Sequence, residues 1–82
     1  MKYELTQHAT VALEKRRIRL EWVERVLAAP DSTRPDATDS ALEHFLGSIG
    51  EFGDRVLRVI VNQQATPPRV VTACFDRRER KP

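Results

Sequence analysis

The run Arg55 to Arg78, RVLRVIVNQQATPPRVVTACFDRR, most narrows what this chain can fold into, because it reads as two strands joined by a proline-bearing turn. Side chains alternate between the two faces of a strand. In the first strand Leu57, Val59 and Val61 share one face, while Val56, Arg58, Ile60 and Asn62 share the other. In the second, Val71, Ala73 and Phe75 oppose Val70, Thr72, Cys74 and Asp76. Bringing the apolar sets together on one core face requires paired residue numbers to sum to an even value, near 132 for a loop over 63–69. That register sets Arg58 close to Cys74, with Thr72 and Asp76 as diagonal neighbours. The hairpin therefore has one greasy face and one mixed face.

The rest of the chain must cover the greasy face. Tyr3-Glu4-Leu5 alternates as a short strand would, and Thr6 is placed to cap a helix from Gln7 to about Arg16, with Ala9, Ala12, Leu13 and Arg16 on one side. After a turn at Arg17-Ile18-Arg19, a second helix is expected from about Leu20 to Ala29, with Val23, Val26 and Leu27 inward and Trp22 at the edge of that stripe or on the surface. Pro30 stops it. Asp31 to Ser40 holds a proline and three aspartates and reads as a loop, with a brief edge strand at Ser32-Thr33-Arg34. Leu42 to Ile49 reads as a strand with Phe45 and Ile49 toward the helices, and Gly50 to Asp54 turns the chain into the central strand. The expected architecture is α+β: two N-terminal helices packed on one face of a three- to four-stranded antiparallel meander. The opposite face is expected to lie open, and Arg77 to Pro82 to fray.

An 82-residue chain makes one domain with a modest core. No apolar run reaches membrane-spanning length, and Met1-Lys2-Tyr3-Glu4 leads into no apolar leader, so a cytoplasmic location is expected. One cysteine and two histidines form no metal-ligand pattern, so no metal or other cofactor is expected. Charge is unevenly spread, at +2 over residues 1–30, −5 over 31–54 and +5 over 55–82. An acidic middle beside a basic end is either compensation within the fold or an anion-binding face next to an acidic one.

Several strings in order, His8-Ala9, Glu14-Lys15-Arg16-Arg17-Ile18, Val23 with Val26-Leu27, Pro30-Asp31, Arg55 to Asn62, and Val70-Val71-Thr72-Ala73 through Asp76-Arg77, resemble the bacterial family called domain of unknown function 4258. The element order and the segment from Gly47 to Arg80 are more distantly similar to small toxin ribonucleases of the RelE and BrnT kind. The resemblance implies a toxin-like domain acting as a metal-independent endoribonuclease, or a degenerate binding module on the same scaffold. RNA, an antitoxin-like protein or a second copy are the partners it implies. Three positions depart from the family pattern: Ala12 stands where an arginine is usual, Arg17 where a glycine follows the turn arginine, and Arg19 where a capping serine is usual.

His8 is the candidate proton carrier, since an imidazole can take a proton from a ribose hydroxyl. It is equally suited to tying helix to sheet. Arg58 is the candidate phosphate clamp, or the partner of Asp76 across the hairpin. Arg16, Asn62, Thr72 and Arg77 are the candidate substrate contacts, against the plainer readings of a basic helix end, a turn amide, a strand hydroxyl and a basic tail. His44 has no motif partner and reads as surface, and Cys74 as a small, partly buried apolar residue.

Overall fold

The computed structural model describes residues 2–80. Along the chain come β1 (Glu4–Leu5), α1 (Gln7–Arg16), α2 (Leu20–Ala28), β2 (Ser32–Pro35), β3 (Leu42–Ile49), a 3-10 turn (Gly50–Phe52), β4 (Arg55–Asn62) and β5 (Arg69–Arg80). The class is α+β as expected, but the sheet has five strands in the order β1-β5-β4-β3-β2 and is mixed. The meander β2 to β5 is antiparallel, and β1 adds parallel to β5 through Glu4 opposite Arg69 and Leu5 opposite Val70. β5 continues to Arg80, through much of the segment expected to fray, while Lys81 and Pro82 lie outside the described residues.

The central register follows from burial. Leu57, Val59, Val61 and Ala73 are each 0% exposed, and pairing Leu57 with Phe75, Arg58 with Cys74 and Val59 with Ala73 puts them on one face. Arg55 pairs with Arg80, so the expected register is the observed one from Val56 opposite Asp76 to Ile60 opposite Thr72. There it slips, because Val61 pairs with Val70 and leaves Val71 as the extra residue of a bulge. One inserted residue reverses the alternation beyond it, so Val70, expected on the mixed face, joins the core at 0% exposure while Val71 is half-buried.

Both helices cover this face, α1 against β5 and α2 against β3 and β4. Thr6 starts α1 with three bonds. Its hydroxyl oxygen accepts from Ala9 N at 3.0 Å, its O–H donates to Val71 O at 3.2 Å, and its backbone N–H donates to Val70 O at 3.1 Å. The helix cap and the attachment to β5 are thus the same residue. At the other end Arg17 takes the left-handed conformation at φ 54°, ψ 42°, its N–H donates to Glu14 O, and Ile18 N–H donates to Leu13 O at 2.9 Å. This pair of bonds, with Ile18 and Leu13 both buried, is a Schellman ending, in which glycine is the usual left-handed residue.

α2 approaches β3 closely at Gly47, where an added Cβ would lie 3.0 Å from Val26 Cγ2. Trp22 is not at the surface but 8% exposed, because Phe52 of the 3-10 turn and Phe75 of β5 close over it at ring-centroid distances of 5.6 and 5.9 Å. The face away from the helices is only partly open: Leu46 and Val56 project on that side and are 2% and 7% exposed.

Arg17→Gly removes a left-handed cost of roughly 1–2 kcal/mol for a side-chain residue, offset by the larger chain entropy of glycine, for a net gain of about 0.5–1 kcal/mol. A higher urea midpoint at unchanged slope is the expected result. Gly47→Ala drives a methyl into the β-branched Val26 and is expected to lower stability by roughly 1–2 kcal/mol in the same measurement, since overpacking exceeds the gain from removing a strand glycine.

Candidate functional site

The residues with chemistry to offer gather on the face away from the helices, in a row that crosses the sheet. Asp76 of β5, Arg58 of β4, His44 of β3 and Asp36, just past β2, follow one another along diagonals of the register. Arg58 Nε donates to Asp76 Oδ2 at 3.0 Å, and its Nη2 donates to the same oxygen. On its other side Arg58 Nη1 lies 2.7 Å from His44 Nδ1, and His44 Nε2 lies 2.7 Å from Asp36 Oδ1. All four side chains are largely enclosed, at 18% exposure for Arg58, 15% for Asp76, 16% for His44 and 21% for Asp36.

A guanidinium can only donate, so the proton positions follow. His44 Nδ1 must accept from Arg58, which leaves the ring proton on Nε2, where it donates to Asp36. Both ring nitrogens are thus engaged. A second ring proton, at Nδ1, would set donor against donor. Asp36 Oδ2 accepts in addition from Thr38 N at 3.2 Å, Thr38 Oγ1 at 3.2 Å and Asp39 N at 3.0 Å. These bonds, with that from His44 the largest and the backbone N–H groups next, hold the Asp36 carboxyl at about 2.

The expected site residues divide into two separate groups. Arg58 meets Asp76, as the ion-pair reading has it, with Cys74 beside it and half-buried. Arg16 and Thr72 also meet: Arg16 Nη1 donates to Ala73 O at 2.7 Å and to Thr72 Oγ1 at 3.3 Å. That contact closes over the outer edge of β5 beyond its short pairing with β1, so both side chains protect a strand edge. Asn62 Oδ1 accepts from Gln64 N at 2.9 Å and turns the chain out of β4. Arg77 is exposed on β5.

His8 stands exposed in the first turn of α1, a helix on the covered face, whereas Arg58 projects from the other. The sheet lies between them. Ala12 is 5% exposed one helical turn before Arg16, so the inner face of α1 supplies no cation there.

Neither His44 nor Asp36 is among the candidate site residues of the sequence, and His44, which reads there as surface, is enclosed. The signal was present, because a five-residue turn over Gly50 to Asp54 sets Leu46 opposite Arg58 and hence His44 on its diagonal. Asp36 carries no such signal, since its position depends on an irregular loop. Among the described residues no group of three His, Cys, Asp or Glu side chains is placed to hold a metal ion, and no helix is long and apolar enough to cross a membrane.

Because its folded carboxyl sits near 2 against an ordinary 3.8, Asp36 contributes stability that is complete above about pH 4 and is lost as pH falls toward 2. Asp36→Asn is expected to be less stable at pH 7 and to show a flatter loss of stability between pH 4 and pH 2, read from urea midpoints across that range.

The family model described as Domain of unknown function (DUF4258) matches residues 5–75. No curated protein and no solved structure matches the chain. With most of its length matched, the chain belongs to the domain of unknown function 4258 family.

Proposed function

We propose that this member of the family is an RNA-binding module that keeps a RelE- or BrnT-like scaffold without chemistry from His8 and Arg58. The engagement of Arg58 carries this reading. Its guanidinium is held by Asp76 on one side and His44 on the other, and His8 stands on α1, a helix of the opposite, covered face. One phosphate engaged by both would need every reacting group within about 3–3.5 Å. Detaching the guanidinium would also break its bonds to Asp76, whose side chain is 15% exposed.

RNA is favoured as the ligand by which cations are left over. Arg19 bonds Glu21, Arg25 bonds Glu51, Arg58 bonds Asp76 and Arg69 faces Glu4 at 3.7 Å. Lys15, Arg17, Arg55 and Arg77 have no carboxylate partner among the described residues, and all are exposed. Exposed cations without a carboxylate partner are available to phosphates.

A catalytic version of the same reading rests on a different imidazole. Asp36, His44 and Arg58 form an oriented base beside a cation, the arrangement a proton transfer at a phosphate ester would need once Arg58 moved from His44 Nδ1.

Incubation of the full chain with mixed RNAs at neutral pH, with and without ribosomes, separates the two versions. Intact RNA is expected, together with binding that weakens steeply with salt, by a log-log slope of about −2 to −3 for three or four phosphate contacts to a single strand. His8→Ala should bind like wild type. Cleavage lost in His44→Gln would establish the catalytic version, and no binding at low salt would sink both.

A further inference from the structure

Three of the five aromatic residues, Trp22, Phe52 and Phe75, meet at one corner, where α2, the 3-10 turn and β5 come together. Phe52 and Phe75 have ring centroids 4.8 Å apart. Trp22 is buried at 8% exposure, but Phe52 is 40% exposed on a turn where a polar residue would serve the backbone equally well. The guanidinium of Arg55 lies over both phenyl rings, 5.1 Å from the centroid of Phe52 and 5.8 Å from that of Phe75.

The charges around this corner are sorted in an unusual way. Glu51, adjacent to Phe52, is neutralised by the Arg25 fork at 2.7 and 2.8 Å, which holds its carboxyl down at about 2. Arg55 and Arg77, the latter two residues beyond Phe75 on β5, have no carboxylate partner among the described residues. Arg19, which precedes α2, is taken by Glu21 at 2.7 Å. The corner thus presents a partly exposed aromatic ring covered by one guanidinium without a carboxylate partner among the described residues, that of Arg55, with Arg77 exposed further along β5.

From this we infer that Phe52, with Arg55 and Arg77, forms a base-stacking site for single-stranded RNA. The proposal rests on the RNA-binding reading and names where on the chain the strand is held. The Arg55 guanidinium laid over the phenyl rings offers its own outer plane to an unstacked base without regard to sequence, Phe52 holds that plane in place, and Arg77, exposed further along β5, is a contact for phosphate. Duplex RNA keeps its base faces stacked and has nothing to offer the ring. A cationic ligand is disfavoured because Arg55 already occupies the π-faces.

The single tryptophan reports on the site, since Trp22 lies 5.6 Å from Phe52. Titration of the full chain with a single-stranded oligoadenylate at low salt is expected to change Trp22 fluorescence. Phe52→Ala and Phe52→Leu are expected to weaken binding about 10-fold, the scale of one lost base stack, while Phe52→Tyr retains it. The leucine variant keeps an apolar cover over Trp22, and circular dichroism and melting establish that each variant is folded. Arg55→Gln and Arg77→Gln should each weaken binding and flatten its salt dependence. Inorganic polyphosphate, which carries charge without bases, should bind Phe52→Leu as it binds wild type. Oligoadenylate binding that is undiminished in folded Phe52→Leu, or duplex RNA bound as tightly as single strands, overturns the stacking site while leaving RNA binding in place. No binding of any RNA at low salt overturns the RNA-binding reading itself, and this site with it.

Discussion

A charge in the central strand of a sheet must be neutralised where it stands, and much of this structure follows from how Arg58 is neutralised. Leu57, Val59 and Val61, fully buried beneath the helices, force the intervening Arg58 to the opposite face. There it is 18% exposed, too enclosed for water to carry its charge. Asp76 supplies the countercharge from one neighbouring strand, and His44 supplies a lone pair from the other. His44 in turn donates a hydrogen bond from Nε2 to Asp36, which tethers the loop after β2. A one-residue slip at any of the strand pairings would remove a member of this row, so a polar chain four residues long specifies register across the sheet.

The parts of this fold that are legible in the sequence are those set by local alternation or by a single cap. The β4–β5 register, the Thr6 cap and the inward positions of α2 are of this kind. β1 was visible only as a brief alternation, because two residues carry no usable period and their pairing with Arg69 and Val70 joins the two ends of the chain. The bulge at Val71 escaped for a related reason: either Val70 or Val71 satisfies an apolar pattern, and only the contact with Val61 chooses between them. Trp22 was misplaced because the rings that bury it, Phe52 and Phe75, come from a turn and a strand distant in sequence. Of the site, Arg58 with Asp76 was readable from the hairpin alone. His44 required a second register, and Asp36 a loop conformation that no periodicity describes.

The departures from the family pattern acquire different meanings in the structure. Arg17 occupies the left-handed position of a Schellman ending, which explains why glycine is usual there on purely conformational grounds. It says nothing about function. Ala12 is another matter, because it lies on the buried face of α1 one turn before Arg16, whose guanidinium reaches the edge of β5. An arginine at position 12 would project from the same face toward the same strand. With alanine at that position the α1–β5 seam has, among the described residues, one cation, Arg16, on this face of α1.

The arginines of this small domain thus fall into two populations that the sequence alone does not distinguish. Arg19, Arg25, Arg58 and Arg69 have carboxylates within reach, and what they contribute is geometry: a helix start, a turn, a sheet register and the contact between β1 and β5. Arg55 rests instead on aromatic rings, and Arg77 on nothing charged among the described residues. A net excess of +5 over residues 55–82 would attract any polyanion, wherever it lay. On the proposed reading, a cation held beside an exposed phenyl ring would turn general attraction into a preference for nucleic acid with its bases unstacked.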